Sequence, residues 1–106
     1  MIVRPSSKAE RQIREQYRWL RENRTAGHAA AWFRSLQAAK RAILPMPESR
    51  PICRESDDLP GGPYREHYFG AGRSKTHRLV FRVTPAAVEV VAVRGLRQRD
   101  LTAGDV

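Results

Sequence analysis

Residues 77–93 read His77-Arg78-Leu79-Val80-Phe81-Arg82-Val83, then Thr84-Pro85-Ala86-Ala87, then Val88-Glu89-Val90-Val91-Ala92-Val93. In the first run Leu79, Phe81 and Val83 alternate with Arg78, Val80 and Arg82, the period of two expected of a strand whose two faces meet different surroundings. Thr84-Pro85-Ala86 interrupts that period and turns the chain. The second run is rich in β-branched residues and apolar on both faces, which predicts the central strand of a sheet.

Working back from this pair, Tyr64 to Phe69 alternates more weakly and is followed by Gly70-Ala71-Gly72 and Arg73-Ser74-Lys75, a turn that makes it the first strand of a three-strand antiparallel meander. Residues 45–63 hold five of the seven prolines, Pro45, Pro47, Pro51, Pro60 and Pro63, and no periodicity, so they read as an ordered but irregular link. Before it the period becomes helical. A helix beginning near Lys8, with Ser6 or Ser7 as N-cap, carries Ala9, Ile13, Tyr17 and Leu20 on one face and ends near Asn23 to Gly27. A second, from about His28 to Leu44, carries Ala29, Phe33, Leu36, Ala39 and Ile43. Trp19 and Trp32 lie off the centre of these stripes, where they widen the apolar face or anchor a partner. Ile2 to Arg4 reads as a short edge strand ending at Pro5. The tail from Leu96 has only Leu101 and Val106 as apolar anchors and is expected to be loosely ordered.

The fold class is therefore α+β, with a short N-terminal strand and an antiparallel helical hairpin packed on an antiparallel β-meander, in a single domain over residues 1–106. Neither layer can bury its apolar face alone.

Twenty Lys and Arg against eleven Asp and Glu give a net charge of +9, which calls for a polyanion or an acidic protein as partner. Arg supplies 17 of the 20 cations. Its forked guanidinium suits phosphate and carboxylate, although the bias also fits a GC-rich genome. Cys53 is the only cysteine, which leaves no intrachain disulfide and points to a reducing cytoplasm. No stretch has the apolar length of a membrane span, and Met1-Ile2-Val3-Arg4-Pro5 has no apolar signal core. His28 and His77 have no partners at metal-ligand spacing, so neither metal nor cofactor is expected.

The order of strand, helical hairpin, proline-containing link, basic strand and apolar meander resembles the RelE/ParE superfamily of toxins from type II toxin–antitoxin systems. Ala9-Glu10-Arg11-Gln12-Ile13 through Tyr17-Arg18-Trp19-Leu20 and Ala30-Ala31-Trp32-Phe33 are similar to the helices of its ParE-like branch. Tyr64-Arg65-Glu66, the Gly70 to Lys75 turn, His77-Arg78-Leu79-Val80-Phe81 and Val91-Ala92-Val93-Arg94 are similar to its sheet. Gly95 stands where members of this branch often carry a His, so any role of that His is absent.

The resemblance implies a growth inhibitor held silent by a cognate antitoxin in a hetero-oligomer, with DNA gyrase as target in the ParE-like branch. In the RelE-like branch it implies an endonuclease that cuts mRNA on the ribosome. On that second reading the catalytic positions fall on Arg65, His67, Arg78 and Arg97. Arg65 and His67, two apart in a strand, share a face that Arg78 reaches in a suitable register. The tail Tyr usual in those nucleases has no counterpart between Leu101 and Val106. On either reading Arg73, Lys75, Arg82, Arg94 and Arg99 are candidates for contact with target or nucleic acid, or are simply a solvated basic face. A nucleic-acid-binding domain without toxicity is the third possibility.

Overall fold

The structure, a computed structural model, describes residues 1–106. In chain order it comprises β1 (Ile2–Pro5), α1 (Ser7–Asn23), α2 (Ala26–Ile43), β2 (Arg65–Phe69), β3 (His77–Val83) and β4 (Ala87–Gly95). Single 3₁₀ turns interrupt the link and the tail at Pro47–Ser49, Ser56–Asp58 and Ala103–Asp105.

Both helices begin on a side-chain cap that satisfies an otherwise orphaned backbone donor. The Ser6 hydroxyl accepts from the Ala9 N–H at 3.1 Å, and the Thr25 hydroxyl from the His28 N–H at 3.0 Å. On α2 the buried stripe is Ala29, Trp32, Leu36, Ala39 and Ile43, spaced three, four, three and four. Trp32 thus takes the core position that the sequence pattern gave to Phe33. Both lie within the helical period; what decides between them is that Trp32 meets Phe69 and His77 of the sheet, with ring centroids 6.1 and 5.3 Å away. Phe33 stays 38% exposed and packs edge-on against Tyr17 of α1.

The sheet order is β1-β4-β3-β2. β2, β3 and β4 form the expected antiparallel meander, and β1 joins its far side parallel to β4, making the sheet mixed. β4 is central, as its two apolar faces predict. A register shift opposite Val80 and Phe81 gives it one extra residue, so that Val88, Val90 and Val93 all reach the helix side while Val91 and Ala92 reach the other. β4 also outruns β1, and the Val93 N–H finds the Gln12 side chain of α1 at 2.8 Å.

Two cores result, one on each face. The larger joins the hairpin to Phe69, Leu79, Phe81, Val88 and Val90. The smaller gathers Cys53 and Leu59 of the link, Tyr64, Val80 and Val91 of the sheet side, and Leu101 of the tail. The tail is therefore not loose. Leu101 is buried, Asp105 closes a capping box with Thr102, and the Lys8 ammonium donates to the carbonyl of Gly104 at 2.7 Å. The link and tail cover the sheet face that the helices leave open.

Candidate functional site

The register of the meander decides which basic side chains can meet. Arg65 lies opposite Phe81 and His67 opposite Leu79, so both project toward the helices; Arg78 lies opposite Tyr68 and projects to the outer face. The expectation that Arg78 joins Arg65 and His67 on one face is therefore corrected. A cross-strand neighbour shares a face only with the residue directly opposite it, and a shift of one position reverses the face.

Arg78 is 4% exposed, and its guanidinium is shared between two buried carboxylates. It donates to both oxygens of Glu55, in the link, and to Glu66, on β2, at 3.0 Å. Glu55 also accepts the N–H of Leu101 at 2.9 Å. Burial alone would raise the Glu55 carboxyl, but hydrogen bonds from Arg78 and Leu101 outweigh it and hold the group at about 2. Arg78 is correspondingly held above the ordinary Arg range, chiefly by its bond to Glu55. The group is a charge clasp joining link, sheet and tail.

Arg94 sits opposite Arg78 in register and is also buried, donating to the Arg99 carbonyl at 3.0 Å. Arg82 pairs with Glu89 at 2.8 Å and lies over the Tyr64 ring. Arg99 pairs with Asp105 at 2.7 Å. Arg65 donates to the Arg50 carbonyl at 2.7 Å. Arg73, Lys75 and Arg97 are exposed and have no carboxylate partner. Of the positions singled out in the sequence, Arg78, Arg82, Arg94 and Arg99 are thus engaged within the protein, while Arg73, Lys75 and Arg97 are open to a partner.

A second concave surface lies on the hairpin. Ile13, Tyr17 and Phe33 floor a groove of about 670 Å³, with Arg14, Arg18 and Arg21 along its α1 side. The place of these cations beside an apolar groove was not legible in the sequence, because it requires α2 to be set against α1. Glu55 and Glu66 were missed outright: nothing in their sequence neighbourhood marks them as partners of an Arg 23 and 12 residues away. No three His, Cys, Asp or Glu side chains converge as a metal-binding group. No helix is long and apolar enough to cross a membrane.

The family model for the ParE toxin of the type II toxin–antitoxin system, parDE, matches residues 3–100, from β1 to the turns beyond β4. The chain belongs to the ParE toxin family. As a ParE-family chain it is the toxin of a type II toxin–antitoxin system, with an antitoxin as its partner. No curated protein matches the sequence. The α+β architecture, with an N-terminal strand, a helical hairpin and a mixed four-strand sheet, agrees with this membership. The ParE-family match stops just before Leu101, the residue through which the tail enters the outer core.

Proposed function

We propose that this ParE-family toxin arrests growth by binding DNA gyrase, and that a cognate antitoxin silences it by covering the surface involved. The observation that supports binding over cleavage is the state of Arg78. RNA cleavage by ribose attack needs cations that stabilise a phosphorane and a group that moves protons, all within reach of one phosphate. Arg78 instead spends its donors on Glu55 and Glu66 inside the protein, on the opposite face from Arg65 and His67. The open cations Arg14, Arg18, Arg21, Arg73, Lys75 and Arg97 are spread over the exterior, which suits a broad contact with a large partner. The protein is read as a single domain that works in the cytoplasm and is held there in a toxin–antitoxin hetero-oligomer.

Induced expression in a bacterial host, with DNA-damage signalling and transcript integrity read from the same cultures, tests this. Arrest with damage signalling and intact mRNA is expected, together with inhibition of supercoiling by purified gyrase. Ribosome-dependent cuts in mRNA, lost on Arg97→Ala with the fold preserved, would replace the proposal by the RelE-like one. Unimpaired growth with soluble expression would leave a binding domain without toxicity.

A further inference from the structure

The groove of about 670 Å³ on the hairpin joins an aromatic floor to a cationic wall. Tyr17 of α1 and Phe33 of α2 meet edge-on there, at an interplanar angle of 80°. That packing leaves ring faces unstacked, and Phe33 stays exposed without serving the core. Arg14, Arg18 and Arg21 follow one another at spacings of four and three within one sector of α1, so they climb the wall in steps of about 6 and 4.5 Å. All three are exposed, and none has a carboxylate within ion-pair distance. Glu22, one turn beyond Arg18, also lines the groove and closes the cationic run at that end.

Both walls are helices, whose backbone donors and acceptors are consumed within them. An extended peptide laid here would find no ladder for its own N–H and C=O groups. A docked helix satisfies its backbone internally but needs an apolar stripe that repeats over two or more turns, and the floor from Ile13 to Tyr17 is one turn long. A single strand of nucleic acid has neither requirement. Its bases offer flat faces to an aromatic floor, its sugars and base edges stay in water, and its phosphates meet guanidinium groups that grip them bidentately. Successive phosphates of an extended strand are spaced on the scale of the steps between the arginines. The volume is that of a site for a drug-sized ligand, room for about two nucleotides.

We infer that the hairpin groove binds a short stretch of single-stranded DNA, with a base stacked on Phe33 and Tyr17 and successive phosphates held by Arg14, Arg18 and Arg21. Stacking and charge carry the binding, so it tolerates any base sequence. That the strand is DNA rests on the gyrase reading above; the groove and its chemistry do not.

Fluorescence anisotropy of a labelled pentathymidine on the full chain, with amide NMR to locate it, tests this. Saturable binding is expected, with shifts centred on Tyr17, Arg18 and Phe33. Affinity is expected to fall with salt at a log–log slope of about −2, since each phosphate engaged on a single strand contributes about −0.7. Arg18→Ala is expected to bring that slope to about −1.4. Phe33→Leu keeps apolar bulk at an exposed position and loses the ring, and is expected to weaken binding at least about fivefold, while Phe33→Trp retains it. A pentamer of abasic sites, with the same phosphates and no bases, is expected to bind more weakly by a similar factor. Abasic binding as tight as that of thymidine, shifts centred elsewhere such as Arg73 and Lys75, or no saturation would overturn the inference. So would a capped pentapeptide alternating glutamate and valine that binds more tightly at the same amides, and tighter binding of pentauridine would overturn the choice of DNA. The assay contains no gyrase. A chain that inhibits supercoiling without binding the oligonucleotide loses this inference and keeps the function proposed above, and one that binds the oligonucleotide without inhibiting gyrase does the reverse.

Discussion

Arg78 carries its charge where water does not reach, and only Glu55 and Glu66 make that tolerable. Removing one member of a buried ion cluster leaves the others uncompensated, at a cost of about 3–5 kcal/mol. Arg78→Ala is therefore expected to lower the urea midpoint sharply, and it is unsuitable as a probe of catalysis. The same cluster sets a pH dependence. The Glu55 carboxyl sits at about 2 in the folded chain, below its ordinary value, so the unfolded chain takes up a proton first on acidification. Stability from this group is complete above the ordinary carboxylate range and is lost as the pH falls from there toward about 2. Denaturant unfolding at stepped acidic pH is expected to show this loss in the wild type, and a shallower one in Glu55→Gln. The sequence displays seventeen arginines and marks none of them as structural. Which of them is structural depends on a carboxylate brought from the link, and no local pattern encodes that meeting.

At the scale of elements, α2 separates what a period can say from what it cannot. Spacing alone admits Phe33 and Trp32 alike; the sheet chooses Trp32 by offering Phe69 and His77 as neighbours. Trp32→Ala is expected to cost about 3–5 kcal/mol through the cavity it leaves. Phe33→Ala, at a half-exposed position, is expected to cost under about 1 kcal/mol. Thermal unfolding of the two variants side by side checks both. The tail makes a similar point. Leu101 and Val106 looked too few as anchors to order it, yet Leu101 closes the outer core and donates its N–H to Glu55. Leu101→Ala is expected to cost about 2–5 kcal/mol and to speed hydrogen exchange at Tyr64 and in the link.

Across the whole molecule the net charge of +9 is an excess that no internal ion pair can cancel, and most of the cations stand at exposed positions. A surface of this sign draws an acidic partner faster than diffusion alone would, and salt removes the advantage. The association rate constant with the antitoxin is expected to fall about tenfold or more between low salt and about 0.5 M NaCl, with a smaller change in dissociation. Stopped-flow mixing measures both. Equal rates across that range would mean that the basic exterior is not what meets the partner.

By itself the sequence determined the elements and their order. Periods of two and 3.6, a serine cap before the first helix and a run of prolines are local signals, and each acts within a few residues of where it is written. The central place of β4 was legible for the same reason, because a strand apolar on both faces must be covered on both. Tertiary structure decided how β1 pairs with β4, which tryptophan enters the core, and that link and tail close the outer face. It also decided that Arg78 faces away from Arg65 and His67. Those outcomes turn on register and on contacts across dozens of residues, and a shift of one position in a strand exchanges its faces without altering its period.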